Sequence, residues 1–261
     1  MKIGFLGVGN MGGALATAAA KAVGGSSLLL CDVAADKAAA LAEVLGATAV
    51  DTATLVEQSD YIFLGVKPQM MEAALKPLSF RADQVLITMA AGLTADTVAQ
   101  MAGGASPVIR IMPNTPVSVG EGMILYAPQD TVSEAQLADF RQMLSCAGRL
   151  CAMPEHLIDA GSAVSGCGPA FVALFIEALA DGGVECGLPR AQALELAAQT
   201  VAGTARLLQV TESHPGALKD AVCSPGGTTI AGVHALENGG FRSLAMDAVT
   251  AAYDRTLELK K

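Results

Sequence analysis

Runs of basic residues are missing from this chain of 261 residues. Its 16 Lys and Arg against 25 Asp and Glu leave a formal charge of −9. A nucleic-acid backbone or an anionic membrane surface needs a cationic patch, so neither is expected as a partner. Histidine is scarce as well. The three histidines, His156, His214 and His234, lie far apart and leave a metal site little to build on. None has a nucleophile motif beside it, so no Ser/His/Asp arrangement is legible. A G-x-x-x-x-G-K-[ST] phosphate loop is also absent. The six cysteines (Cys31, Cys146, Cys151, Cys167, Cys186 and Cys223) form no C-x-x-C pair. In a chain this long they read as reduced cytosolic thiols, not a disulfide framework. No uninterrupted apolar run reaches the ~20 residues of a membrane-spanning helix. The most apolar candidate, 170–180, is broken by Glu177 and followed by Asp181. An apolar strand begins at Lys2, leaving no room for a leader peptide, and a cytoplasmic location is expected.

What is present is apolar material: 52% of the residues are hydrophobic and only 16% charged, enough for large cores and for surface covered by another subunit. Two rhythms divide the chain. Up to about residue 154, short apolar runs alternate with helical stretches. Strands are expected at 3–6, 27–31, 61–65, 85–90, 108–112 and 123–127, with helices at 11–23, 35–45, 69–76 and 95–101. Strands apolar throughout and separated by helices predict a parallel, doubly wound sheet covered on both faces. Beyond Pro154 the strand signal stops. Phe171, Leu174, Phe175, Ala178 and Leu179 recur at the spacing of a buried helix face, as do Ala191, Leu194, Ala198, Val201, Ala205 and Leu208. Helices this rich in Ala and Gly suit either close packing between subunits or an ordinary core within one subunit.

The first glycine cluster, Gly7-Val8-Gly9-Asn10-Met11-Gly12, follows a strand and opens a helix. Gly7 permits the tight turn, Gly9 lets backbone approach a pyrophosphate, and Gly12 lets helix pack on strand. The phosphates then sit at the helix N-terminus, where free N–H groups and the dipole favour anions. Asp32 ends the second strand, 32 − 12 = 20 positions after the last motif glycine. There a carboxylate bonds the adenosine ribose and repels the extra phosphate of NADP, which leans the reading towards NADH. A helix cap before 35–45 is the alternative role. Three further loops follow strands: Val66-Lys67-Pro68, Ala90-Ala91-Gly92 and Met112-Pro113-Asn114-Thr115-Pro116. Ligands in open parallel sheets bind beyond such strand ends, although each loop also reads as a simple turn.

A second cluster, Ser224-Pro225-Gly226-Gly227-Thr228-Thr229, precedes a helical stretch in the other half. Free N–H groups at a helix start with three hydroxyls make a natural carboxylate site, and equally a capped turn. With nucleophilic and phosphoryl chemistry set aside, hydride transfer remains, in which a cofactor carries the chemistry.

Together these residues resemble the pyrroline-5-carboxylate reductase family. The carriers are FLGVGNMG (5–12), VKP (66–68), AAG (90–92), MPNTP (112–116), SGCGPAF (165–171), DGGVECGLPR (181–190), HPGALKD (214–220) and CSPGGTTIAGVHALE (223–237). The resemblance implies reduction of 1-pyrroline-5-carboxylate to L-proline by NADPH or NADH. It implies an α/β, Rossmann-type doubly wound domain over 1–154, followed by an all-α substrate and dimerisation domain over 155–261. It also implies a homodimer or larger oligomer. By similarity, the cofactor contacts are Leu6, Gly7, Val8, Gly9, Asn10, Met11, Gly12, Asp32, Thr52, Gly65, Val66, Lys67, Pro68, Met89, Ala90, Ala91 and Asn114. Ser224, Gly226, Gly227, Thr228, Thr229 and Glu212 would hold substrate, with Thr229 orienting the ring nitrogen. No metal is implied. Two positions depart from the family pattern: Cys167 stands where Ser is usual, and Asp32 where a small hydroxyl residue is common.

Three other readings are weaker. A β-hydroxyacid dehydrogenase needs a lysine four positions beyond its second G-x-x-G, where this chain has Val172; past Pro154 its lysines are Lys219, Lys260 and Lys261. A non-catalytic NAD-sensing scaffold would not need the hydroxyls of Ser224, Thr228 and Thr229. A reductase of a related cyclic imine would keep the same residues.

Overall fold

The computed structural model describes residues 1–259; Lys260 and Lys261 lie outside the described residues. Two compact units emerge: Met1–Cys167 joined by the end of the chain from Ala252, and Gly168–Ala251. The first unit therefore continues past the 154/155 boundary expected from the sequence.

The first unit is built on one eight-stranded sheet of β1 (Ile3–Leu6), β2 (Leu28–Cys31), β3 (Thr48–Ala49), β4 (Tyr61–Leu64), β5 (Val85–Thr88), β6 (Val108–Met112), β7 (Gly122–Pro128) and β8 (Gly148–Ala152), in the order β3-β2-β1-β4-β5-β6-β7-β8. Helices α1 (Asn10–Val23), α2 (Ala35–Leu45), α3 (Thr52–Gln58), α4 (Met71–Leu75), α5 (Ala95–Met101) and α6 (Glu134–Met143) connect the strands. Two separate apolar clusters use alternate strand residues. One holds Phe5, Leu30, Phe63 and Ile87, the other Leu6, Leu29, Ile62 and Leu86, which is what covering both faces of a sheet requires. Phe5 and Phe63 stack at 4.5 Å across the β1–β4 pair. The fold is Rossmann-type, with its order reversing between β1 and β4.

Several expectations need correction. The sheet is not wholly parallel: β7 runs antiparallel to β6, and β8 follows β7 in parallel. Only a short 3₁₀ segment, Thr115–Val119, separates β6 from β7, and a parallel return needs a crossover of a dozen or more residues. The helix expected over 69–76 is a 3₁₀ turn, Pro68–Met70, followed by α4. β3, β8, α3 and α6 were not expected at all.

The rest of the chain is helical: α7 (Ile158–Ser165) in the first unit, then α8 (Gly168–Glu185), α9 (Arg190–Thr211), α10 (Pro215–Val222), α11 (Thr228–Asn238) and α12 (Phe241–Glu258). Ala180, Ala193 and Ala197 form the small buried cluster between α8 and α9, where Gly183 also lets the helices close in. Of the two readings of the apolar face, an ordinary core within one subunit is not what the described residues show. Leu174 is 68% exposed and Leu194 42% exposed, so much of their apolar surface is left uncovered by the described residues. One correction concerns membranes. Among the described residues one helical stretch, Glu155–Glu185, is long and apolar enough to cross one. It is interrupted by the turn at Gly166–Cys167 and carries Glu177 and Asp181 on α8.

Candidate functional site

Strand register brings the expected cofactor residues to one edge of the sheet. Leu6 pairs with Cys31 on one side and Leu64 on the other, and Leu64 pairs with Thr88. The residues that follow, Gly7, Asp32, Gly65 and Met89, therefore leave the sheet at one level. Gly7 adopts φ 98°, reserved in practice for glycine. Its own Cβ would come within 2.7 Å of the Gly65 carbonyl oxygen, so both glycines are needed where β1 and β4 part. A Cβ on Gly12 would strike the Gly7 carbonyl oxygen, whereas one on Gly9 would stand in open space. Thus Gly12 serves the fold and Gly9 leaves a clear approach.

The N-terminus of α1 suits an anion. Its N-cap is Gly9, no side chain caps it, and no acidic residue occupies the first turn. By contrast α3, α5 and α6 are capped by Asp51, Thr94 and Ser133. An open groove of about 490 Å³ lies beside it, lined by Val8, Gly9, Asn10, Gly13, Lys37 and Leu41 among others. The loop thus fits a dinucleotide phosphate, with donors and dipole left for the ligand.

Asp32 does something the sequence did not reveal. Its Oδ2 accepts a hydrogen bond from the Val8 N–H at 2.8 Å and its Oδ1 one from the Ala34 N–H at 3.0 Å. It is not the N-cap of α2, which is Ala34. Each oxygen keeps a second lone-pair direction for a hydroxyl donor. Thr52 stands at the start of α3, with its Oγ1 3.4 Å from the Cys31 sulfur, beside the end of β2. On the other side, Lys67 is exposed, and Ala90 is buried with its N–H on the Thr88 hydroxyl. Asn114 has a structural part of its own. Its Nδ2 donates to the Ser165 carbonyl at 2.9 Å and its Oδ1 accepts from the Met123 N–H at 2.8 Å. The amide braces protein backbone with one of its two N–H donors and its oxygen, and the second N–H is left over.

The second glycine loop lies in the other unit. Gly226 adopts φ 66°, and the Ser224 hydroxyl folds back over Gly227, where a Cβ would collide with it. The Gly227 N–H closes the turn on the Ser224 carbonyl at 3.0 Å. α11 then starts with Gly227 as N-cap and no side-chain cap. Among the described residues the hydroxyls of Thr228 and Thr229 have no hydrogen-bond partner, and both residues are exposed. Gly226 and Gly227 line an open groove of about 550 Å³ with Lys219, Ile230, His234 and Glu237, but Thr229 does not. A hydrogen bond from Lys219 to Asp220 holds the ammonium above its ordinary pKa, so it stays charged. Glu212 is the C-cap of α9 in the left-handed region at φ 52°, alone among the described non-glycine residues. A left-handed residue is a common way to end a helix, and here the Glu212 N–H closes on the Leu208 carbonyl.

Sequence reasoning missed Arg110, Glu155 and Asp159. Arg110 is 1% exposed within β6 and pairs with Asp159 at 2.8 Å and Glu155 at 3.6 Å. A lone arginine in the apolar run Val-Ile-Arg-Ile-Met was the available signal, because a buried cation needs carboxylates.

The comparisons agree with this layout. A family model described as pyrroline-5-carboxylate reductase dimerisation matches residues 155–259, and one described as NADP oxidoreductase, coenzyme F420-dependent, matches residues 2–92. The pyrroline-5-carboxylate reductase of Escherichia coli is 41% identical, covering 100% of this chain and 98% of its own. That of Synechocystis is 50% identical over 204 residues, 78% of this chain and 76% of its own. This chain belongs to the pyrroline-5-carboxylate reductase family. Among solved structures, that of the Plasmodium falciparum pyrroline carboxylate reductase with NADP bound matches at TM-score 0.88 and 31% identity, covering 100% of this chain and 98% of that one. The family's dimerisation region spans the helices whose apolar surface is exposed here, which accounts for that surface by self-association.

Proposed function

We propose that this protein reduces the imine of 1-pyrroline-5-carboxylate to give L-proline, the closing step of proline synthesis. The end-to-end similarity to the E. coli reductase carries this reading. The uncapped helix starts at both glycine loops support it.

Bound at the α1 loop, a reduced nicotinamide supplies a hydride to the imine carbon. The protein's part is orientation. Residues Leu6–Gly12, Asp32, Thr52, Gly65–Pro68 and Met89–Ala91 hold the cofactor at the strand ends, and Asn114, which also braces backbone, keeps one N–H for it. The Ser224–Thr229 loop, shaped by the turn at Gly226 and Gly227, receives the pyrroline carboxylate on the free backbone N–H groups at the start of α11 and on the hydroxyls of Ser224 and Thr228. Thr229 hydrogen-bonds the ring nitrogen as it passes from iminium to amine. A threonine hydroxyl is too weak an acid to protonate the imine outright, so the proton arrives from solvent or with the iminium. Glu212, at the end of α9, stands near substrate in this reading.

NADH is the preferred cofactor in this proposal. The Asp32 carboxylate at the end of β2 repels a 2′-phosphate. Against it stand Lys37 beside the glycine loop and the relative with NADP bound. We assign residues 1–154 to cofactor binding and 155–261 to substrate binding and dimerisation, with a cytoplasmic location supported by six free cysteines.

The test is loss of NADH or NADPH absorbance when 1-pyrroline-5-carboxylate is added to purified protein. Consumption of either establishes the reaction, and the ratio of kcat/KM values decides the cofactor. Silence with both, from folded protein that binds NADH, refutes it.

A further inference from the structure

Arg110 is among the largest fully buried side chains of the protein and sits in a strand between Ile109 and Ile111. An apolar side chain would fill that place without the desolvation cost of a guanidinium. The group is not even fully satisfied: its Nε finds no hydrogen-bond partner among the described residues. Stability alone therefore does not explain it, and the identity of its partners does.

Both carboxylates come from the segment around α7. Asp159 Oδ1 lies 2.8 Å from Nη2 and Glu155 Oε1 lies 3.6 Å from Nη1. The same Glu155 oxygen accepts a hydrogen bond at 2.7 Å from the backbone N–H of Ala95. Ala95 is the first residue of α5, directly after the segment Met89–Thr94 that leaves β5. A carboxylate there takes one of the orphan donors of the helix start and favours its dipole. α7 is held at its other end by Asn114, whose amide joins the Ser165 carbonyl to the Met123 N–H. In between, Gly161 lets α7 lie against β7, where a Cβ would come within 2.6 Å of Leu125. Strand β6 and its loop thus grip α7 at both ends, and α7 in turn grips the end of the β5 loop.

We propose that Arg110 is a positioning residue: acting through Glu155 and Asp159, it fixes the Met89–Gly92 loop against which the nicotinamide end of the cofactor rests. The inference rests on the assignment of Met89–Ala91 to cofactor binding. Arg110 touches neither cofactor nor substrate; it sets where the loop backbone stands. The buried pair gives α5 and α7 a single relative placement that an apolar contact would let slide.

Two sets of variants test this. In Arg110→Met/Asp159→Leu the ion pair is replaced by apolar groups of similar size. In Glu155→Ala the hydrogen bond to Ala95 is removed at a partly exposed site, while Glu155→Gln keeps an acceptor there. NADH affinity by fluorescence titration, steady-state kcat and hydrogen exchange at Leu93–Ala95 are measured on each. The double variant and Glu155→Ala should remain folded, bind NADH about tenfold more weakly and turn over about 10²-fold more slowly, the effect of a displacement near 1 Å. Their amides at Leu93–Ala95 should exchange faster, and Glu155→Gln should restore much of the loss. Native affinity, turnover and exchange in a folded double variant overturn the proposal. Should that variant not fold, native values in Glu155→Ala overturn it equally. If the unaltered protein fails to bind NADH, the cofactor assignment falls instead, and the exchange rates alone decide whether the pair holds the loop.

Discussion

The carboxylate of Asp32 clasps the glycine loop: its Oδ2 lies 2.8 Å from the backbone nitrogen of Val8, across the ends of two neighbouring strands. With the Ala34 N–H on the other oxygen, the side chain is fixed before any ligand arrives. The residue therefore holds the loop, and in the proposed reading it has a second, separable duty, repelling a 2′-phosphate. Asp32→Asn keeps one backbone acceptor and removes the charge, so the NADPH/NADH ratio of kcat/KM should rise, by roughly tenfold if ~1.4 kcal/mol of repulsion is relieved. Asp32→Ala frees the Val8 N–H and should weaken both cofactors together. An unchanged ratio in Asp32→Asn would remove charge from the account of cofactor choice.

Gly9 and Gly12 separate binding from folding. At Gly9 the backbone has φ −65° and a Cβ meets nothing within 4 Å, so alanine fits the protein without strain. Gly9→Ala should leave thermal stability within about 0.5 kcal/mol of native, yet weaken NADH binding tenfold or more because the new methyl stands on the phosphate side. Gly12→Ala meets the Gly7 carbonyl and should lower both Tm and affinity. Melting curves and NADH titrations on the two variants give the answer. Equal losses of stability would show that Gly9 is a turn residue and no more.

The sequence disclosed most where a short-range rule acts alone. β1, the glycine spacing and α1 follow from an apolar run and three glycines, and their bounds were readable to within a residue. α2 and α5 were readable for the same reason. β3 was invisible because Thr48–Ala49 is two exposed residues, and β8 because Gly148–Ala152 mixes exposed and half-buried positions. The reversal of β7 was legible in principle from the short link after β6, since no helix fits there. The partners of Arg110 were not, because they lie 45 and 49 residues further along a chain whose folding path sequence spacing does not give. In the helical half, periodicity marked an apolar face correctly but could not say which molecule covers it.

That face yields a prediction of its own. Leu174 is 68% exposed on α8, in the region matched by the family's dimerisation model. Placing a charge in an apolar interface leaves it unpaired and desolvated on association. Leu174→Glu should keep its helical content, sediment as a smaller species than the native protein at micromolar concentration, and lose activity with the lost assembly. A variant that sediments as native would show that this part of α8 faces solvent in the assembly too.

Thr229 carries the sharpest chemical expectation. It lies in the first turn of α11, and its hydroxyl has no partner among the described residues, so it is available to the ring nitrogen without breaking a bond already made. Loss of one oriented hydrogen bond that strengthens in the transition state costs about 10²-fold in turnover. Thr229→Ala should therefore lower kcat by about that factor while the affinity for NADH, assigned in the proposed reading to the other glycine loop, persists. Thr229→Ser retains the hydroxyl and should recover most of the rate. The split between kcat and cofactor affinity matters more than the size of either, because a general loosening of α11 would lower Tm and leave serine no better than alanine. If alanine turns over as fast as threonine, the ring nitrogen is oriented by another group, and the neighbouring hydroxyls of Thr228 and Ser224 become the residues to replace.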